Sequence, residues 1–379
     1  MSYLVYNLKT VPSGWRKVLY LNWPLVLLVT AVGAFGLLML YSVAGGSLEP
    51  WASAQAKRMA LGLVLMMVVA FIPIHFWRNV AGLAYAVALF LLIGVEFFGD
   101  VGMGAQRWID LGVIRLQPSE MMKIALVMSL AAYYDWLDAD KVSRPGWVLV
   151  ALLMIGLPML LVLRQPDLGT ALLLGVGGGA IMFLAGVSLW YFGGAFAALA
   201  GLVTAVIYSR GTSWQMLKDY QFRRIDTFLD PSKDPLGAGY NITQSKIALG
   251  SGGWGGRGFM QGTQSRLNFL PEKQTDFIFT TLAEELGFVG GVTLLSLYGL
   301  ILLFCVLSAL GNRDRFGTLL TYGLATTFFL YFAANMSMVM GLVPVVGVPL
   351  PLVSYGGTAM LVLLIAFGLI QSAHVHRPR

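Results

Sequence analysis

Apolar runs of membrane-crossing length recur along the whole chain, separated by short polar segments. Reading each run against its flanks predicts helices near 22–44, 59–74, 78–97, 117–134, 147–163, 168–186, 189–209, 277–309, 317–342 and 355–373. A helix of about 20 residues crosses roughly 30 Å of hydrocarbon with all its backbone hydrogen bonds closed inside the segment. The pattern therefore predicts an all-α membrane protein, a polytopic bundle of ten transmembrane helices forming a single integral membrane domain over residues 1–379. The pairs that meet at "IPIHFWRN" and "RQPD" are joined by short turns.

Residues 210–276 break the pattern. They gather Arg210, Lys218, Arg223, Arg224, Lys233, Lys246, Arg257, Arg266 and Lys273 around the glycine-rich "LGSGGWGGRGFMQGTQS". Its mixture of aromatics, glycines and apolar residues differs from a disordered linker, and so long a connection is uncommon unless it has a function. It is expected to be an ordered, large extracytoplasmic loop between the seventh and eighth helices.

Composition agrees with this picture: 58% of residues are hydrophobic and 11% charged, with mean hydropathy +0.76. The opening residues lack a short apolar core followed by a small-residue cleavage site, so the first membrane helix is expected to direct insertion. Cys305 is the single cysteine, which excludes an internal disulfide or a cysteine metal cluster. The formal charge of +7 is explained by topology and lipid headgroups, and nucleic acid is not expected as a partner. One set of alternate short segments holds Lys9, Arg16, Lys17, Arg78, Lys141, Arg144, Arg313, Arg315, Arg377 and Arg379, and the other Lys57, Arg58, Arg107, Arg115 and Arg164. By the positive-inside rule both termini are cytoplasmic and the long loop faces outward.

Against this background the buried charges stand out. Glu284 and Glu285 fall inside an apolar run, where a charge at the centre costs roughly 2.5–3.5 kcal/mol. They must face a cavity, pair with cations, or lie where the helix rises above the membrane. Asp276, Thr280 and Glu284 follow steps of four, which would place them on one side of a helix. In "RWIDLGVIRLQPSEMMKIAL", Gln117 and Pro118 introduce a helix, with Glu120 in its first turn and Lys123 at i+3. Glu120 and Lys123 can meet on one face, either as catalytic or substrate-binding groups or as a structural pair. Asp167 in "LRQPDLGTALL" reads first as a helix cap. The segment "MGLVPVVGVPLPLVSYGGTAML" joins Pro344, Pro349 and Pro351 with Gly341, Gly347, Gly356 and Gly357. Such irregular backbone at membrane depth must be buried in protein or line a polar cavity. His75, His374 and His376 are scattered, and no zinc, serine-hydrolase or nucleotide-binding motif occurs.

Together, "RWI" at 107–109, "QPSE" at 117–120, "QPDLGTAL" at 165–172, "LPEKQTDFIF" at 270–279 with the "LAEELG" that follows, and "PLPLVSYGG" at 349–357 resemble the SEDS family (shape, elongation, division and sporulation). The likeness covers nearly the whole chain, and its short tails look more like the elongation branch than the division branch. The resemblance implies a peptidoglycan glycosyltransferase that polymerises lipid II, an undecaprenyl-diphosphate-linked disaccharide-peptide, at the outer face of the cytoplasmic (inner) membrane. It puts the essential aspartate at Asp276 and matches Glu120 and Lys123. It also implies a class B penicillin-binding protein as cross-linking partner within the elongation machinery.

A lipid diphosphate leaves as a stable anion, so the expected reaction needs one base for the acceptor hydroxyl and cations for the phosphate charge. Asp276 is the expected base. Arg107, Lys123, Arg223, Arg224 and Lys273 are the candidate phosphate cations, Lys123 first, with Glu120 beside it and Glu284 and Glu285 supporting the cavity. No protein-built metal site is expected, though a divalent cation could assist at the diphosphate. A lipid II flippase is the alternative reading, and a docking scaffold a third.

Overall fold

The computed structural model describes residues 14–102, 105–110, 112, 115–230, 238–267, 272–345 and 347–377. A 3-10 turn, Gly14–Tyr20, leads into α1 (Trp23–Val43), where the Asn22 side chain accepts from Leu25 N. The next helices are α2 (Ala52–Phe71), α3 (Ile74–Phe98), α4 (Pro118–Trp136), α5 (Pro145–Arg164), α6 (Leu168–Leu184) and α7 (Leu189–Ser209). Prolines at first turns, as in α1, α4 and α5, lose no helical hydrogen bond there and preset φ. In the segment after α7 lie α8 (Asp219–Leu229), α9 (Ala238–Ser251) and α10 (Thr263–Arg266), and the chain finishes with α11 (Ile278–Leu310), α12 (Arg315–Val339) and α13 (Thr358–Val375).

Eight of these, α1, α2, α3, α5, α7, α11, α12 and α13, are long and apolar enough to cross a membrane, while α6 is a shorter apolar helix. The chain is a multi-pass helical membrane protein. α4 carries Glu120, Lys123 and Asp135, and Glu120 and Lys123 are buried. α12 and α13 are the most enclosed spans, whereas α7 exposes nearly all of its apolar surface. Small residues bring α2 and α13 together: a Cβ at Gly62 would lie 2.3 Å from Leu364 Cδ1, and one at Gly368 would lie 2.8 Å from Met66 O. Close approach through small residues is the packing mode available where lipid removes the hydrophobic drive between helices.

Two expectations require correction. α2 starts seven residues before the predicted boundary at 59, so Lys57 and Arg58 sit within its first turns. Lys57 is exposed, and a long cation at the end of a span reaches polar surroundings without ending the helix. The all-α expectation also missed a small antiparallel sheet between α3 and α4, ordered β1 (Asp100–Gly102), β2 (Ala105–Asp110) and β3 (Arg115–Leu116). Ile109 pairs with Leu116 and Asp110 with Arg115. Those strands are too short for a period-two pattern to register in the sequence.

Candidate active site

Asp276 lies on a tight turn before α11. Thr275 N and Phe277 N both donate to Glu272 O, and Glu272 has φ 57°, an uncommon conformation for a residue with a side chain. Phe277 is the N-cap, so Asp276 stands outside the helix. This corrects the expectation of a continuous stripe: Thr280 and Glu284 are helical, and Thr280 Oγ1 meets Ser245 Oγ of α9 at 3.0 Å.

The proline- and glycine-rich segment between α12 and α13 forms a strap against this turn. Tyr355 N donates to Gln274 O at 2.8 Å. Ser354 Oγ donates to Thr275 O at 2.5 Å, and Asn335 Nδ2 donates to Asp276 O at 2.8 Å and to Val348 O at 2.7 Å. The carbonyls of residues 274, 275 and 276 are thus held in succession from one side, which fixes the backbone that aims the Asp276 side chain. Among the described residues nothing donates a hydrogen bond to its carboxylate. Gly347, at φ 67°, passes beside it, where a Cβ would lie 3.5 Å from Oδ2.

Burial, with Glu272 nearby, pushes the Asp276 carboxyl up to about 6, with Arg107 opposing the shift and Asp167 adding to it. Desolvation disfavours the charged form, and a neighbouring carboxylate does the same. Lys273 is pushed below its usual range by burial. Arg107 places Nε 3.6 Å from Asp167 Oδ2 and donates from Nη2 to Pro166 O at 2.7 Å. Asp167 caps α6, as expected, by accepting from Thr170 N at 3.1 Å, and it also holds Arg107.

Glu120 and Lys123 meet as the i, i+3 spacing requires, at 2.7 Å. Tyr331 of α12 donates to the second Glu120 oxygen, and the Lys123 ammonium lies 4.2 Å from the Tyr331 ring centroid. The pair lines a narrow cleft among α4, α12, α13 and the strap, with Leu324, Leu350, Met360 and Leu363 on its walls. Asp276 is not part of that lining. Ser354 belongs to the cleft and also grips the Asp276 turn, so the strap separates and couples the two.

Glu284 and Glu285 do not line the cleft. Glu284 accepts from Thr263 N, Thr263 Oγ1 and Gln264 N at 2.8–3.2 Å, with Arg257 Nε 4.0 Å away. Glu285 accepts from Ser42 Oγ at 2.6 Å. Glu284 thus anchors α10 to α11, and Glu285 ties α11 to Ser42 of α1 and to the Met260 and Gly262 backbone ahead of α10, so the cavity-support expectation is replaced by a loop-anchoring one. α11 itself breaks at Gly287, with φ 65° and ψ −159°, and the glycine-rich run laces onto the break. Arg257 N and Gly258 N donate to Glu284 O and Glu285 O, and Phe288 N and Val289 N donate to Gly253 O and Trp254 O. A Cβ at Gly252 or Gly256 would fall 2.0 Å from a carbonyl oxygen of α11. Those glycines permit backbone contact.

Arg223 and Arg224 fall on α8, but their side chains lie outside the described residues. Sequence reasoning missed Asn335, Tyr331 and Glu272 as parts of the site, and used Arg58 only for orientation. The signal for Asn335 and Tyr331 was present: both are polar-tipped residues inside an apolar span.

Residues 22–379 match the family of cell cycle proteins that groups FtsW, RodA and SpoVE. Peptidoglycan glycosyltransferase MrdB of Escherichia coli K12 is 42% identical over 367 residues, covering 96% of this chain and 95% of that protein. A chain of a solved peptidoglycan synthase complex, described as coordinating polymerization and crosslinking, has TM-score 0.81 at 32% identity, covering 93% of this chain and 97% of that one. RodA of Thermus thermophilus, a rod shape determining protein, has TM-score 0.70 at 27% identity, covering 94% of this chain and 97% of that one. This chain belongs to the FtsW/RodA/SpoVE family, the SEDS family that its motifs resemble.

Proposed function

We propose that the chain is a peptidoglycan glycosyltransferase of the RodA type, polymerising lipid II into β-1,4-linked glycan, with Asp276 as general base. The observation that carries the catalytic assignment is the Asp276 turn: a partly buried carboxyl raised to about 6, without a hydrogen-bond donor of its own among the described residues, on backbone clamped at three carbonyls. A base is most effective when its pKa lies near the working pH. Asp276 takes the proton from the 4-hydroxyl of the acceptor GlcNAc as that oxygen attacks C1 of the donor MurNAc. The bond to the lipid diphosphate breaks with inversion, and the diphosphate leaves carrying the electron pair.

The reaction belongs at the outer face of the cytoplasmic membrane, with ten spans, both termini cytoplasmic and residues 210–276 outside. The charge asymmetry of the short segments supports that orientation. Cross-linking falls to a class B penicillin-binding protein, a reading supported by the likeness to a chain of a synthase complex. Among the described residues no group of three or more His, Cys, Asp or Glu side chains converges as metal ligands. A divalent cation at the diphosphate would therefore draw most of its ligands from phosphate and water.

The test is polymerisation of labelled lipid II by purified protein, with and without the partner. Asp276→Asn is expected to lose about 10²–10⁴ in rate while remaining folded. Near-normal polymer from the folded variant removes Asp276 from the chemistry. Label that crosses vesicles without forming polymer favours a flippase.

A further inference from the structure

The cation that sequence reasoning placed first at the diphosphate, Lys123, is already neutralised. Glu120 holds it at 2.7 Å, it faces the Tyr331 ring, and its side chain is only 3% exposed. Arg107 is similarly occupied by Asp167 and two backbone carbonyls. Arg115 faces Asp110, and Arg257 faces Glu284.

Arg58 differs. Its guanidinium lies 4.9 Å from the ring centroid of Tyr355, and among the described residues it has no carboxylate within salt-bridge distance and its buried Nη1 has no hydrogen-bond partner. A buried guanidinium nitrogen without an acceptor carries a desolvation cost that an anionic ligand removes.

Its surroundings connect it to the site. Gln55, one turn earlier on α2, donates from Nε2 to Ser354 O and accepts from Gly356 N. Tyr355, on which Arg58 stacks, donates its backbone N–H to Gln274 O, two residues before Asp276. Arg58 Cζ lies 4.0 Å from where a Cβ of Gly357 would stand, beside the first turn of α13. Gly357 has no side chain to cap that turn, and the positive end of the helix dipole adds to the pull on an anion. Gly356, which donates to Gln55, also lines the largely apolar cleft beside Glu120 and Lys123.

The structure assigns Arg58 as the anion-binding residue that holds the diphosphate of the lipid-linked donor, with Tyr355 as its platform. This rests on the glycosyltransferase reading above. Lys123 becomes a structural charge, and Arg58 the group whose open fork meets phosphate oxygens. A guanidinium presents paired donors that match them, whereas an ammonium does not.

The test measures binding of undecaprenyl diphosphate to the full chain in nanodiscs. Wild type and Asp276→Asn are expected to bind alike, Arg58→Ala about 10- to 100-fold more weakly, and Arg58→Lys between them. Unchanged binding by Arg58→Ala overturns the assignment. If that variant does not fold, wild-type protein supplies the answer: the diphosphate lipid should protect Arg58 from modification by phenylglyoxal, and absence of protection overturns the proposal. With a phosphate-free acceptor glycan, the Arg58→Lys defect in donor KM should persist; its disappearance would place the contact on the acceptor and overturn the donor assignment. Polymer formed by Asp276→Asn would sink the base but leave these binding results standing, so the two readings fail separately.

Discussion

Asn335 donates from a single amide nitrogen to Asp276 O and to Val348 O, at 2.8 and 2.7 Å, joining α12 to the Asp276 turn and to the strap in one contact. It is fully buried, and among the described residues its Oδ1 has no partner. Asn335→Ala strands two buried carbonyls, each worth about 1–3 kcal/mol, and releases the backbone that aims Asp276. A displacement of about 1 Å costs on the order of 10²-fold in rate. We expect a folded, less stable protein with kcat reduced and lipid KM little changed, read by steady-state polymerisation and thermal melting.

As the proposed base, Asp276 is expected to set a pH limit. With its carboxyl at about 6, polymerisation should fall as pH drops through 6 and level off above 7, provided no other group limits the rate. A pH–rate profile with its acid limb near 4, the ordinary aspartate range, would show that the folded site does not raise this group.

The same shift makes Asp276 costly to stability. An unfolded aspartate titrates near 3.9, so the folded state favours the protonated form. That preference is fully present below about pH 4 and is lost as pH rises through 6. Asp276→Asn should therefore be more stable than wild type at pH 7, by up to about 3 kcal/mol from about 1.4 kcal/mol per unit. The gap should close below pH 4 in denaturation measurements.

Glu120 and Lys123 form a buried pair. Removing one partner leaves an uncompensated charge and costs roughly 3–5 kcal/mol. Glu120→Gln and Lys123→Met should each destabilise the protein, while the double variant recovers much of the loss. Recovery of polymerisation in the double variant would mark the pair as structural; stability restored without activity would return Lys123 to the substrate site.

Gly256 has φ 79° and touches Glu285 O. Gly256→Ala should lift the segment between α9 and α10 from α11 while sparing the bundle. Limited proteolysis is expected to cut within residues 219–266 faster, with the helical melt of the spans preserved.

Much of the architecture was legible because burial in a membrane imposes long apolar runs and internally satisfied helices. Leu168–Leu184 began where "RQPD" implied, and Asp167 capped it. The pairing of Glu120 with Lys123 was also legible, since spacing within one helix fixes which side chains meet. Long-range partners were not. Glu284 and Glu285 announced themselves as costly charges, but nothing local stated that Thr263, Gln264 and Ser42 would satisfy them.

Sequence alone therefore determined the membrane character, the helical segments, the family resemblance and the residues whose burial demands a reason. Tertiary structure decided which charges were spent and which stayed open. Lys123 and Arg58 are both cations at the end of an apolar run, and no local pattern separates them. Lys123 finds Glu120 on its own helix and Tyr331 across the bundle, whereas among the described residues Arg58 finds the Tyr355 ring and no carboxylate. Neutralisation depends on distances between segments remote in sequence, and those are set by packing.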